Sequence, residues 1–227
     1  MIDTALRISV SSRSATVRVT AKEGALLDAG NAKRRDMPDG TIVIESDQGG
    51  SKRIDLVVPS GSHLSVGTAS GSIELSGSFA SARIVTGSGR VEVDDVTDLD
   101  VRTASGRVEV RRCDGDCRIV TKSGRVEVGH ARSVDISTVS GRVEAGVVDR
   151  AAVTTVSATV AVGATAAEPE LRIRTVSGKV DVEVAKAVSP DLTLQSVNGR
   201  VRCDCDDGTD GAVTVETISG SIQVRRR

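Results

Sequence analysis

One twelve-residue pattern governs this chain. It reads Φ-x-Φ-x-T-x-S-G-x-Φ-x-Φ, where Φ is a small or branched apolar residue, and it recurs nine times. Residues 82–93 (ARIVTGSGRVEV), 99–110 (LDVRTASGRVEV) and 117–128 (CRIVTKSGRVEV) are three of the copies. The glycine slot falls at Gly71, Gly89, Gly106, Gly124, Gly141, Ala158, Gly178, Gly199 and Gly220, in steps of 17 to 21 residues. A repeat this short cannot bury an apolar face alone. Stacked on its neighbours it can, so a regular short period is the mark of a solenoid.

Alternation within one copy sets which residues face inward. Leu99, Val101 and Thr103 share one parity, whereas Val108 and Val110 share the other. Period 2 on each side predicts a strand on each side, with a corner at Ser105-Gly106. Glycine suits that corner because it tolerates backbone angles closed to other residues. A third short side carries one further small apolar position, such as Val96, Ala131 or Val148. The chain is therefore expected to be all-β: a single-stranded parallel β-helix, or β-solenoid, with 17–21 residues per coil and three short strands per coil.

Degenerate copies extend the pattern toward the N-terminus. Ile8, Val10, Ala15, Val17 and Val19 make one, and residues 39–44 supply half of another, giving roughly eleven coils. The steps there are longer, so residues 31–38 and 47–52 are expected to be loops. The expectation is one domain over 1–227, irregular over 1–62 and regular over 63–227. Polar, Gly-rich connectors and β-branched runs argue against any helix.

Composition narrows the function. Phe79 is the single aromatic residue, with no Trp or Tyr. Stacking platforms for single-stranded nucleic acid and aromatic cation cages are thereby excluded. Thirty basic and 31 acidic residues leave a net charge of −1, so no global field favours nucleic acid or membrane. No apolar run approaches the ~18 residues of a membrane span. The N-terminal MIDTALRISVSSRS lacks a basic segment followed by an apolar one. The chain reads as cytoplasmic, with no cofactor, no small-molecule substrate and a protein as its partner.

Two charged columns follow the glycine. One holds Arg90, Arg107, Arg125, Arg142, Lys179 and Arg200, and the other Glu92, Glu109, Glu127, Glu144 and Asp181. The basic column, with Arg225, Arg226 and Arg227, is a candidate anion-binding surface. The competing reading is that opposite columns pair and cancel. The residue between Thr and Ser is apolar in the last five copies: Val139, Val156, Val176, Val197 and Ile218. By parity it faces outward and forms a candidate interface. The alternative is that the corner turns it inward or leaves the stripe shallow. The Thr column shares the inward parity and is expected to form an internal ladder with the following Ser, bonding to one another and to corner backbone groups. The last copy ends without a cap, so Ile222 and Val224 join the candidate interface at an open solenoid end.

Catalytic and metal signals are thin. Cys113 and Cys117, and Cys203 and Cys205, have ligand-like spacing, but the two pairs lie about five coils apart. Three of the four occupy Φ positions, where a thiol behaves as a small hydrophobe. His63 and His130 sit in different copies with no nucleophile pattern beside them. No enzyme and no metal site is expected.

The S-G-x-V-x-V copies, preceded by Ile54-Asp55-Leu56-Val57-Val58-Pro59-Ser60-Gly61, resemble a bacterial β-strand-repeat family of unknown function labelled "putative adhesin". The resemblance implies a β-helix and a cell-surface setting, and it brings no activity or site. A looser similarity is to bactofilins, cytoplasmic β-solenoids of similar coil size that polymerise end to end. The leading expectation is a non-enzymatic scaffold that self-associates or binds a protein through a solenoid end or the apolar stripe. The alternatives are an acidic-polymer binder using the Arg residues, and an adhesin-like surface protein.

Overall fold

Strands account for every regular element in the computed structural model, which describes residues 5–29, 32–45, 53–164 and 166–227. They are β1 (Arg7–Ser12), β2 (Thr16–Lys22), β3 (Lys33–Asp36), β4 (Thr41–Glu45), β5 (Arg53–Pro59), β6 (His63–Ser70), β7 (Ile73–Ala164), β8 (Glu170–Val184), β9 (Asp191–Ser196), β10 (Val201–Cys203) and β11 (Ala212–Arg226). β7 runs unbroken for 92 residues. Its corners do not interrupt it because stacked corners of the same shape keep their backbone groups paired. The chain divides into two compact units, the first ending at Gly115 and the second running Asp116–Arg227.

The inward parity read from the repeat is the buried set. Leu99, Val101, Val108 and Val110 are buried, as are the further small apolar residues Val96, Ala131 and Val148. Val, Ile, Leu and Ala fill these narrow interiors; Phe79 is the one buried ring.

In the first unit the coils do not stack in sequence order. β1 pairs in parallel with β4 on one edge and β6 on the other, so Ile8 lies between Ile42 and Leu64. β2 likewise lies between β5 and the start of β7, with Val17 flanked by Ile54 and Ile73. The first coil is thus clamped between the second and the third, which protects both of its edges.

Residues 33–36, expected to be loop, instead form β3, antiparallel to β4. The turn is closed by Gly40 N donating to Met37 O (3.0 Å), with Gly40 at φ +79°. Asp39 accepts from the Thr41 N–H (3.0 Å) and hydroxyl (3.1 Å), which holds its carboxyl below the usual range. Lys33, Arg34, Arg35 and Asp36 are all exposed. A strand with neither face buried has no period-2 signal, so its sequence could not announce it. A short charged edge strand also discourages further pairing. Asp28 and Val57 exchange two backbone bonds of 2.9 Å, closing the same coil at β5. The other expected loop, 47–52, lies outside the described residues.

The second unit departs from sequence order as well. β8 pairs with residues 150–164 of β7 on one edge and with β11 on the other. β11 then pairs with β9 and β10. The last copy in sequence is therefore an inner rung, and residues 191–203 form the outermost coil. The expectation of a bare C-terminal coil is overturned. Ile222 and Val224, placed at an exposed end, are 1% and 0% exposed. They are core residues, with no part in a surface.

The corners follow one rule. Gly71, Gly89, Gly106, Gly124, Gly141 and Gly178 all have φ between +124° and +146°, a region L side chains avoid. In each of these turns the Thr three residues earlier donates its hydroxyl to the carbonyl of the Ser just before the glycine. Thr68, Thr86, Thr103, Thr121, Thr138 and Thr175 do so at 2.9–3.1 Å. Ala158 and Gly220 have no positive φ, and in those turns the buried Thr155 and Thr217 hydroxyls have no partner. Positive φ at the glycine thus goes with a Ser carbonyl aimed at the threonine. Six of the eight buried Thr hydroxyls thus bond corner backbone, as expected of the column.

Candidate interaction surface

The outward residue between Thr and Ser is exposed in each of the last five copies. Val139, Val156, Val176, Ile218 and Val197 show between 44% and 74% of their surface. Parity, not inward rotation at the corner, governs them. Register puts them side by side in that spatial order: Thr155, Thr175 and Thr217 align across rungs, and Asn198 N bonds Ile218 O at 2.8 Å. Five β-branched side chains about 4.8 Å apart make a contiguous strip. Sequence order alone would have exchanged Val197 and Ile218.

Beside the strip lies a shallow groove of about 500 Å³. One wall is Val176, Ile218 and Val197. The other is Thr154, Arg174 and Gln195, with Glu216 held by Arg174 Nε at 2.8 Å. The groove thus offers an apolar wall facing a polar one. Sequence reasoning found the apolar wall and missed the polar one, because those residues belong to no invariant column of the repeat.

Among the described residues the charged columns are paired except at Arg200. Arg90 meets Glu92 (3.2 Å), Arg142 meets Glu144 (3.4 Å) and Lys179 meets Asp181 (2.7 Å). Arg107 pairs with Glu109, and Arg125 with Glu127 and, one rung on, Glu144 (3.3 Å). The terminal arginines are engaged too: Arg225 and Arg227 reach Glu183 (3.6 and 3.9 Å), and Arg226 reaches Asp206 (3.0 Å). Each of these arginines therefore already faces a carboxylate, which cancels most of its pull on an anion. Apart from Lys179–Asp181, whose carboxylate is 13% exposed, these are solvated pairs, and each should contribute about 0–1 kcal/mol. Arg142→Ala should accordingly shift the unfolding midpoint little, and raising salt should erase the difference.

Cys113 and Cys117 are buried, and the Cys113 thiol donates to Thr97 O at 3.3 Å. Cys203 is exposed on the outermost coil, next to Cys205. Burial, and then the Cys203 neighbour, push the Cys205 thiol above its ordinary range, making it a poor thiolate at neutral pH. His63 Nδ1 bonds Ser81 Oγ at 2.8 Å on the surface. Among the described residues no three His, Cys, Asp or Glu side chains converge as a metal site, and no helix is long and apolar enough to cross a membrane.

A family model described as Toastrack DUF4097 matches residues 5–183. A crystal structure of a "putative adhesin" from Bacteroides fragilis is similar at 13% identity and a TM-score of 0.45, covering 99% of this chain and 93% of that one. One of a "putative cell adhesion protein" from Clostridium sporogenes is similar at 10% identity and a TM-score of 0.24, covering 98% of this chain and 93% of that one. No curated protein matches the chain.

Proposed function

The chain belongs to the Toastrack DUF4097 family, and from that premise we propose that it is a non-enzymatic assembly protein which binds a protein partner through the groove of its second unit. Its scaffold is a single-stranded parallel β-helix of roughly eleven three-sided coils. The observation carrying the reading is the exposed strip Val139, Val156, Val176, Ile218 and Val197. Contiguous apolar surface is costly to leave in water and usually marks an interface. The facing wall of Thr154, Arg174 and Gln195 supplies hydrogen-bonding groups that can fix a partner's register.

A photocrosslinking residue at Gln195, on the polar wall, is expected to trap a protein partner in the producing cell. Val176→Asp places a charge on the apolar wall and should abolish that crosslink. Because Val176 is exposed, the substitution should leave stability within about 0.5 kcal/mol of the parent. A folded Val176→Asp chain that keeps the same crosslinked partner at the same yield would overturn the reading.

A further inference from the structure

The outermost coil of the second unit carries an open strand edge. Val201 pairs with the buried Ile222, and Cys203 with the buried Val224, so both continue core columns. Nothing covers them: Val201 is 41% exposed and Cys203 is exposed. Ile222 N donates to Arg200 O (2.9 Å), and Asp204 N donates to Val224 O (3.0 Å). Backbone groups of the even residues thus face β11, and strand alternation turns those of Val201 and Cys203 the other way. Among the described residues no strand pairs there. The neighbouring edge at β9 is partly filled, since Leu192 N donates to Asp207 Oδ1 (3.0 Å) and Gly208 N to Pro190 O (3.1 Å).

The charge order along this edge is self-complementary. It reads Arg200-Val201-Arg202-Cys203-Asp204-Cys205-Asp206. An antiparallel pair of such strands related by a two-fold at Cys203 sets Arg202 opposite Asp204 of the second copy, and Asp204 opposite its Arg202. Every other two-fold register puts like charges together. Centring on Val201 opposes Arg200 to Arg202, centring on Cys205 opposes Asp204 to Asp206, and centring on Arg202 or Asp204 opposes that residue to itself. Arg200, Arg202, Asp204 and Asp206 are all exposed; Asp206 is held by Arg226, whereas Arg200, Arg202 and Asp204 make no ion pair among the described residues. Opposite charges across a strand pair stabilise it and like charges destabilise it.

We propose that two copies of this chain pair through β10, antiparallel and with the two-fold axis at Cys203. The contact uses the same patch on both copies, so it closes on itself as a dimer and does not propagate. This deepens the assembly reading by naming a second copy as the partner of a different surface. It rests on that reading only in taking the chain to act through protein contacts.

Sedimentation of the full chain over a concentration series should show a monomer–dimer equilibrium. Arg202→Asp and Asp204→Arg should each weaken it about 10- to 100-fold, because each reverses two cross-strand pairs. Mixing the two variants should restore a heterodimer of near parental affinity, since each reversed charge then faces its complement. That rescue also shows that both variants are folded. Facing residues of an antiparallel hydrogen-bonded pair lie about 5.5 Å apart at Cα, within disulfide reach. Diamide should therefore link the dimer at Cys203, as two thiols give up two protons and two electrons and the diazene becomes a hydrazine. Cys203→Ser should lose that link and Cys205→Ser should keep it. A chain monomeric throughout, or a dimer indifferent to both charge reversals, would overturn the proposal. Val176→Asp should leave the dimer intact, so failure here and failure of the groove reading are separable.

Discussion

Gly106→Ala should destabilise the first unit by about 3 kcal/mol or more, seen as a large fall in the urea midpoint with little change in slope. Two effects combine. Gly106 sits at φ +130°, where any L side chain is strained. A methyl group there would also lie under 3.0 Å from the Gly89 carbonyl oxygen, which belongs to the neighbouring rung and has no room to retreat. Stacked corners make the clash cooperative, because relieving it in one rung displaces the next. Gly141→Ala should behave alike in the second unit, against the Gly124 carbonyl. The contrasting site is Ala158, which occupies the glycine slot without a positive φ. Ala158→Gly gives the corner access to the conformation of its neighbours, in which the orphaned Thr155 hydroxyl would gain the Ser157 carbonyl. A new buried hydrogen bond of about 1 kcal/mol roughly offsets the entropic cost of glycine, so stability should change by no more than about 1 kcal/mol. A mild effect at Gly106 would show that corner shape is not fixed by glycine.

Truncation after Asp210 should unfold the second unit's C-terminal coils rather than shorten them neatly. If coils stacked in sequence order, removing the last would expose one new end and leave the rest standing. Here β11 lies between β8 and the β9–β10 coil, so its loss strands β9 and β10 with no ladder partner among the described residues. It also removes Val213, Val215, Ile222 and Val224, all buried. At about 1.5–3 kcal/mol for each side chain, that loss is comparable to the whole stability of a domain. Ile222→Asp tests the same point more gently. A carboxylate at a position 1% exposed should cost at least about 4 kcal/mol. Increased amide exchange should reach β9 and β10 as well as β11. A truncated chain with native melting and native exchange in β9 would contradict the interleaved order.

The repeat made the single coil legible. Parity at Leu99, Val101, Val108 and Val110 predicted burial, the Ser-Gly step predicted the corner, and at Val156 and Val176 parity pointed outward, with an inward turn as the open alternative. These succeed because a side chain's inward or outward choice depends on alternation and hydrophobicity, both local. The polar wall of the groove was not legible, because Arg174 and Glu216 come together only through stacking. β3 was invisible because none of its side chains is buried.

Sequence by itself determined what each rung is. Tertiary structure alone decided which rung stacks on which. Near-identical rungs offer near-identical edges, so pattern cannot rank one stacking order above another. Connector length then sets what is reachable. Inside β7 one rung leads straight into the next, and the chain has no slack to skip. Between β8 and β9 there are six residues, 185–190, enough to span up to about 20 Å when a rung is about 4.8 Å. With that slack the chain can leave a gap and return to fill it, so that its last strand pairs on both edges. The 21-residue steps from Gly178 to Gly199 and on to Gly220 were the trace of this in the sequence. They recorded that slack existed, and only the packed structure shows how it was used.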